Sequence, residues 1–186
     1  MIQIPSGVRG QTAPADRSES ATMTQIRTEP LTAAAFAPFG DVLEATGPFR
    51  LINDGMCRRH HDLARLDFGD QGRAGISIFK AQPRALPYRF DLLERHPDGS
   101  QAFLPLHDQP FLVIVADDLG GVPGRPRAFV TNGAQGINLH RGTWHGVLTP
   151  LSAPGLFAVV DRIGTTANLQ EHRLPAPLTV RRPERA

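Results

Sequence analysis

What most constrains this chain is its punctuation. From residue 75 to residue 161, glycine, proline and Asn-Gly cut the sequence into short segments that alternate or are wholly apolar. Gly75–Lys80 and Tyr88–Leu92 alternate with period two, the signature of half-buried strands. Gln101–Leu106 follows a His-Pro-Asp-Gly turn, and Phe111–Ala116 is apolar on both faces, as a central strand must be. Arg127–Thr131 and Gln135–Leu139 flank Asn132-Gly133, a dipeptide suited to a hairpin. Val147–Thr149 and Leu156–Asp161 complete the series. Eighteen Gly and 17 Pro leave little room for long helices, so the fold class predicted is mainly β, an antiparallel sandwich or barrel with a few short helices. Thr32 is the expected N-cap of one such helix, with Ala33–Phe36 as its body and Pro38 and Gly40 as its end.

The domain division follows composition. Residues 1–22 are rich in Ser, Thr, Ala, Gly and Pro without periodicity and predict a disordered leader. Residues 23–174 form the β-barrel domain. Residues 175–186 carry Pro175, Pro177 and Pro183 and predict an extended, mobile tail, unless Leu178 and Val180 dock on the body or on a partner.

Several function classes are disfavoured. The arginines that raise the pI cluster in the tail (Arg173, Arg181, Arg182 and Arg185), so no basic face is laid out for nucleic acid. Cys57 is the only cysteine, which rules out an intrachain disulfide and a thiolate zinc site, and a cytoplasmic location is expected. No apolar run reaches membrane-spanning length and no signal-peptide apolar region stands near the start, so no membrane partner is expected. Phosphate-loop, dinucleotide-fingerprint, HExxH and GxSxG signatures are missing.

The segment Gly136-Ile137-Asn138-Leu139-His140-Arg141-Gly142-Thr143-Trp144-His145-Gly146 places two histidines beside the only tryptophan. Histidines five apart point to opposite faces of a straight strand, so His140 and His145 share a site only if Arg141-Gly142-Thr143 resets the parity. In a small barrel, alternate residues face the lumen, and neutral imidazoles there suit a divalent metal. His96 precedes the Pro97-Asp98-Gly99 turn, Gln101 starts the next strand, and His145 starts the strand after Thr143. Lys80, the only lysine, ends an apolar strand and reads as a snorkelling side chain or a carboxylate contact. Asp161-Arg162 reads as a buried ion pair or a substrate clamp, the pair being the simpler of the two. These residues alone admit a metal-dependent enzyme or a non-enzymatic binding barrel.

The body also resembles a known family. The matching pieces are Leu31-Thr32 with Phe36–Val42, Ile52–Gly55, His61–Ala64, Ala81-Gln82-Pro83, Leu93–Pro97, Ser100–Phe103, Arg127–Phe129, Asn132-Gly133, Gln135-Gly136, Trp144-His145 and Asp161-Arg162. In this order and spacing, residues 26–172 resemble the ureidoglycolate lyase family of allantoin breakdown. The resemblance implies a cupin-like antiparallel β-barrel, a homodimer, and cleavage of (S)-ureidoglycolate to glyoxylate and urea. It also implies a divalent metal, nickel in some members, held by His96, Gln101 and His145. His145, His96 and His140 are then the expected catalytic side chains, and Lys80, Arg59, His61 and Asn138 the expected substrate contacts. The chain departs from the family pattern at Lys80, where many members carry Arg, and at Gly146, where a bulkier residue is usual.

Overall fold

A computed structural model describes residues 24–184. The expected leader 1–22 lies outside the described residues. One helical turn, α1 (Ala33–Phe36), is present, and Thr32 Oγ1 accepts a hydrogen bond from Ala35 N at 3.2 Å, as an N-cap does. Everything else regular is strand. β1 (Gln25–Pro30), β2 (Gly40–Leu43), β3 (Arg50–Ile52), β4 (Cys57–Arg59), β5 (Gly72–Lys80), β6 (Tyr88–Arg95) and β7 (Gln101–Pro105) make up the first half. β8 (Phe111–Ala116), β9 (Arg127–Val130), β10 (Gly136–Leu139), β11 (Trp144–His145), β12 (Thr149–Pro150), β13 (Leu156–Gly164) and β14 (Gln170–Arg181) follow. Among the described residues no helix is long and apolar enough to cross a membrane.

The strands form two main sheets. The larger runs β11-β6-β14-β1-β9-β8-β12, and because β11 also pairs with β8, six of its strands close into a ring. The second runs β2-β10-β7-β13-β5, while β3 and β4 form a separate hairpin. The architecture is mainly β with a closed barrel, consistent with the cupin-like fold that the resemblance implies, and antiparallel as expected except at β1, which runs parallel to both β14 and β9. Strand alternation divides the interior in two. Even residues of β8 (Leu112, Ile114, Ala116) meet Trp144, Phe90, Leu93, Ile26 and Val180 inside the ring. Odd residues of β8 (Phe111, Val113, Val115) meet Phe36, Phe39, Phe103, Phe129, Ile137, Leu139, Phe157 and Val159 between the ring and the second sheet. Phe129 packs edge-on against Phe36 at 5.7 Å and Phe157 against Phe111 at 5.1 Å, the geometry favoured by ring quadrupoles.

Two expectations are corrected. Asn132-Gly133 does not close a hairpin: β9 pairs with β8 and β1, and β10 with β2 and β7, so the turn carries the chain from one sheet to the other. The proline-rich segment from residue 175 is not a separate tail, because β14 runs across that boundary. It pairs with β6 through Gln170–Arg173, slips in register, and resumes at Leu178–Val180, with β1 on its other edge. The slip absorbs Pro175 and Pro177, which have no N–H to give the ladder, and Val180 is fully buried.

Candidate metal and substrate site

The site forms where β6, β11 and β8 meet. His145 stands opposite Glu94 of β6 and Val115 of β8, and residues directly opposite share a face. Val115 belongs to the core between the sheets, so Glu94 and His145 face that space, and His96, two residues beyond Glu94, joins them. The metal expectation is thereby relocated. The lumen of the six-stranded ring is filled by Trp144, Leu93 and their apolar neighbours, and the imidazoles gather on its other wall.

One potential ligand atom from each of Glu94, His96 and His145 lies within 4.8 Å of the other two. The two imidazole rings are 5.3 Å apart, and His145 Nδ1 is 3.9 Å from Glu94 Oε1. His96 Nδ1 lies 2.6 Å from the Asn168 carbonyl and His145 Nδ1 lies 3.1 Å from the Gly146 carbonyl. A carbonyl only accepts, so each ring places a proton on Nδ1, and the Nε2 atom is the one left to face a ligand. Both Nε2 atoms are buried and have no hydrogen-bond partner. Burial, and then the neighbouring His96, push the His145 pKa down to about 4, so this ring is neutral at physiological pH. Burial also pushes the Glu94 carboxyl up, against the pull of His96 and with the repulsion of Glu171. Two imidazoles with unpartnered, buried Nε2 atoms and one carboxyl group are a donor set that fits a divalent cation.

Glu94 is the residue that the sequence reading missed. Its signal was parity: Glu94 and His96 are separated by two on a strand, so whatever face holds one holds the other.

The remaining expected residues divide. Gln101 of β7 is buried and faces the same space from the opposite sheet, since Phe103, two residues on, packs in the core between the sheets. Leu139, opposite Gln101 in register, lines a small cavity together with His145, Phe103 and Ile137. Asp161, opposite Gln101 on β13, shares that face with Phe157 and Val159. Arg162 therefore points the other way, giving its Nε to the Phe68 carbonyl at 3.0 Å, and the expected Asp161–Arg162 ion pair does not form.

Asn138 and His140 lie on the face of β10 opposite to the core residues Ile137 and Leu139. Asn138 Nδ2 donates to Asp41 Oδ2 at 2.9 Å and to the Arg65 carbonyl at 3.1 Å, and His140 Nε2 is 3.2 Å from Asp41 Oδ1. The turn after His140, held by Gly142 N donating to the His96 carbonyl, does not bring His140 to His145's side. Lys80 ends β5 on its exposed outer face, opposite Leu156. Arg59 and His61 line a surface groove with Pro48, Phe49 and Arg50, on a hairpin that pairs with neither main sheet.

Comparison with known proteins identifies the family. A family model described as ureidoglycolate lyase matches residues 23–181. The ureidoglycolate lyase of Rhodobacter capsulatus is 64% identical over 159 residues, covering 85% of this chain and 99% of that protein. The ureidoglycolate lyase of a Chelativorans species is 51% identical over 165 residues, covering 88% and 100%. That of Brucella melitensis biotype 1 is 53% identical over 146 residues, covering 77% and 86%. With a matching model over nearly all the described residues and relatives of this identity, the chain belongs to the ureidoglycolate lyase family.

Proposed function

We propose that this protein is a lyase that cleaves (S)-ureidoglycolate to glyoxylate and urea. The observation that carries the reading is the convergence of Glu94, His96 and His145, with two unpartnered buried imidazole nitrogens, in a family whose relatives bear that activity in their names. Ureidoglycolate has one carbon bearing a carboxylate, a hydroxyl and a ureido nitrogen. Its elimination forms the aldehyde C=O as the C–N bond breaks. The hydroxyl oxygen loses its proton, and the departing nitrogen gains one.

Glu94, His96 and His145 would hold a divalent cation, which supplies Lewis acidity to the oxygen atoms of a bound hydroxy acid. The family resemblance implies a divalent metal that is nickel in some members. The chain's own residues supply three further things. The Asn168 and Gly146 carbonyls fix the orientation of the two imidazoles. His145, kept neutral by burial, offers its lone pair throughout the physiological range. The apolar wall of Phe103, Ile137 and Leu139 beside His145 limits water at the site.

Purified protein incubated with (S)-ureidoglycolate should release urea without ammonia. His145→Ala should lower kcat/KM by about 1,000-fold or more, as loss of a group that the reaction depends on does. Ammonia as the product, or an unchanged His145→Ala enzyme, refutes the reading. The protein is further proposed to act as a homodimer in the cytoplasm. In support, the outer face of β5, β13 and β7 is apolar and β5 has a free edge.

A further inference from the structure

Facing the metal-binding group across the space between the sheets is a polar pair that the metal does not explain. Gln101 is 6% exposed, its side chain makes no hydrogen bond, and its Oε1 is completely buried. Its cross-strand neighbour Asp161 likewise makes no hydrogen bond or ion pair, and Asp161 Oδ1 is buried. Both side chains point into the space that holds Phe103, Phe157 and Val159. Leu139, the neighbour of Gln101 on its other side, lines the cavity that His145 also lines. Two buried acceptor oxygens side by side, with no donor, destabilise a fold unless something supplies N–H or O–H groups.

We propose that Gln101 and Asp161 are the specificity-determining residues that bind the ureido group of the substrate, accepting hydrogen bonds from its N–H and NH2. The assignment rests on the lyase reading and completes it. The carboxylate and hydroxyl of ureidoglycolate are oxygen-rich and suit the Glu94–His96–His145 end. Its ureido group is the part of the molecule rich in N–H donors, and it needs acceptors at the opposite end. Asn138, the residue expected to bind the ureido group, lies on the other face of β10 from Ile137 and Leu139, where its Nδ2 is held by Asp41 and the Arg65 carbonyl, so its side chain does not enter this space. Gln101 accordingly serves the ureido group and not the metal.

Two unreactive probes separate the ends of the substrate: ureidoacetate, which keeps the ureido group but lacks the hydroxyl, and glycolate, which lacks the ureido group. Their affinities are measured by calorimetry on wild type, Gln101→Met and Asp161→Asn, with urea release from (S)-ureidoglycolate assayed alongside. Wild type should bind ureidoacetate more tightly than glycolate. Each substitution should weaken ureidoacetate by about 10-fold or more while leaving glycolate within about 3-fold, because a site built to hydrogen-bond a donor discriminates through that bond. Gln101→Met should also raise Tm, since it replaces an unsatisfied buried amide with an apolar side chain of similar length. The proposal is overturned if wild type shows no preference, if the preference survives both substitutions, or if both probes are lost together, as removal of a metal ligand would cause. A preserved preference pattern with no urea released from wild type sinks the lyase reading instead and leaves the pair standing as a ureido-acid site.

Discussion

At the scale of single residues, environment decides which polar groups are free to act. Asp41 and Glu94 show the contrast. Burial alone would raise the Asp41 pKa, but hydrogen bonds from Asn138 and the Arg65 N–H, with the His140 ring 3.2 Å away, outweigh it and hold the carboxyl below its usual range. A depressed folded-state pKa contributes stability that is present above the unfolded value and lost as pH falls through the folded one. Asp41→Asn should therefore cost about 1–2 kcal/mol at neutral pH and flatten the acid limb of the stability profile. Urea midpoints measured from pH 7 down to pH 3 test this, and an acid limb as steep as wild type would refute it. Glu94 goes the other way: burial raises it and its neighbours are titratable rather than fixed donors. Glu94→Gln should weaken divalent-cation binding by on the order of 100-fold, read by competition with a metallochromic chelator. Equal affinity in the two proteins would remove Glu94 from the site. His96 and His145 were legible in the sequence because each lies where a turn feeds a strand. Glu94 was not, because Leu93-Glu94-Arg95 looks like the charged end of a surface strand until β11 is known to lie beside it.

Secondary structure was legible wherever side-chain period alone defines it. Phe111–Ala116 is the strand that its unbroken apolar run predicts, and α1 keeps the bounds that its cap predicts. What local pattern could not supply was the partner. Asn132-Gly133 has the chemistry of a hairpin turn, yet it joins two sheets because Gly133, at φ 93°, lies so close to the Asp108 carbonyl that a Cβ there would collide with it. The turn is therefore fixed by the loop before β8 as much as by its own residues. β11, only two residues long, carried no periodic signal, though it closes the ring and delivers His145. Gly133→Ala meets both a disfavoured backbone angle and the collision, so it should cost about 1–3 kcal/mol or more. Thermal unfolding of the variant measures this, and a Tm within about a degree of wild type would mean that the crossing is not fixed there.

For the whole molecule, the unanswered demand is the outer face of the second sheet. Ile76 is 77% exposed, Ile78 61%, Leu106 51% and Leu104 38%, and in register Ile78 lies beside Ala158 and Leu104 while Ile76 lies beside Val160. A contiguous apolar face of this kind marks an interaction surface. β5 is also the last strand of its sheet, nine residues long, with an unpaired backbone edge that invites another strand. Charge then favours a second copy as the occupant. Lys80 and Asp70 stand just within and just before the two ends of β5, and neither has an ion pair or hydrogen bond among the described residues. If two β5 edges pair antiparallel about Ile76, Lys80 falls opposite Gly72 of the other copy and beside its Asp70, twice over by symmetry. Such a pairing would give the only lysine of the chain a structural reason that is independent of substrate binding. Light scattering at micromolar concentration should report a dimer for wild type and a monomer for Ile78→Glu. Lys80→Glu should weaken the dimer by about 5-fold or more, and Asp70→Lys in the same chain should restore much of the loss, as paired rim charges do. A monomeric wild type, or a Lys80→Glu defect that Asp70→Lys deepens, would rule out this pairing and leave the apolar face to a different protein.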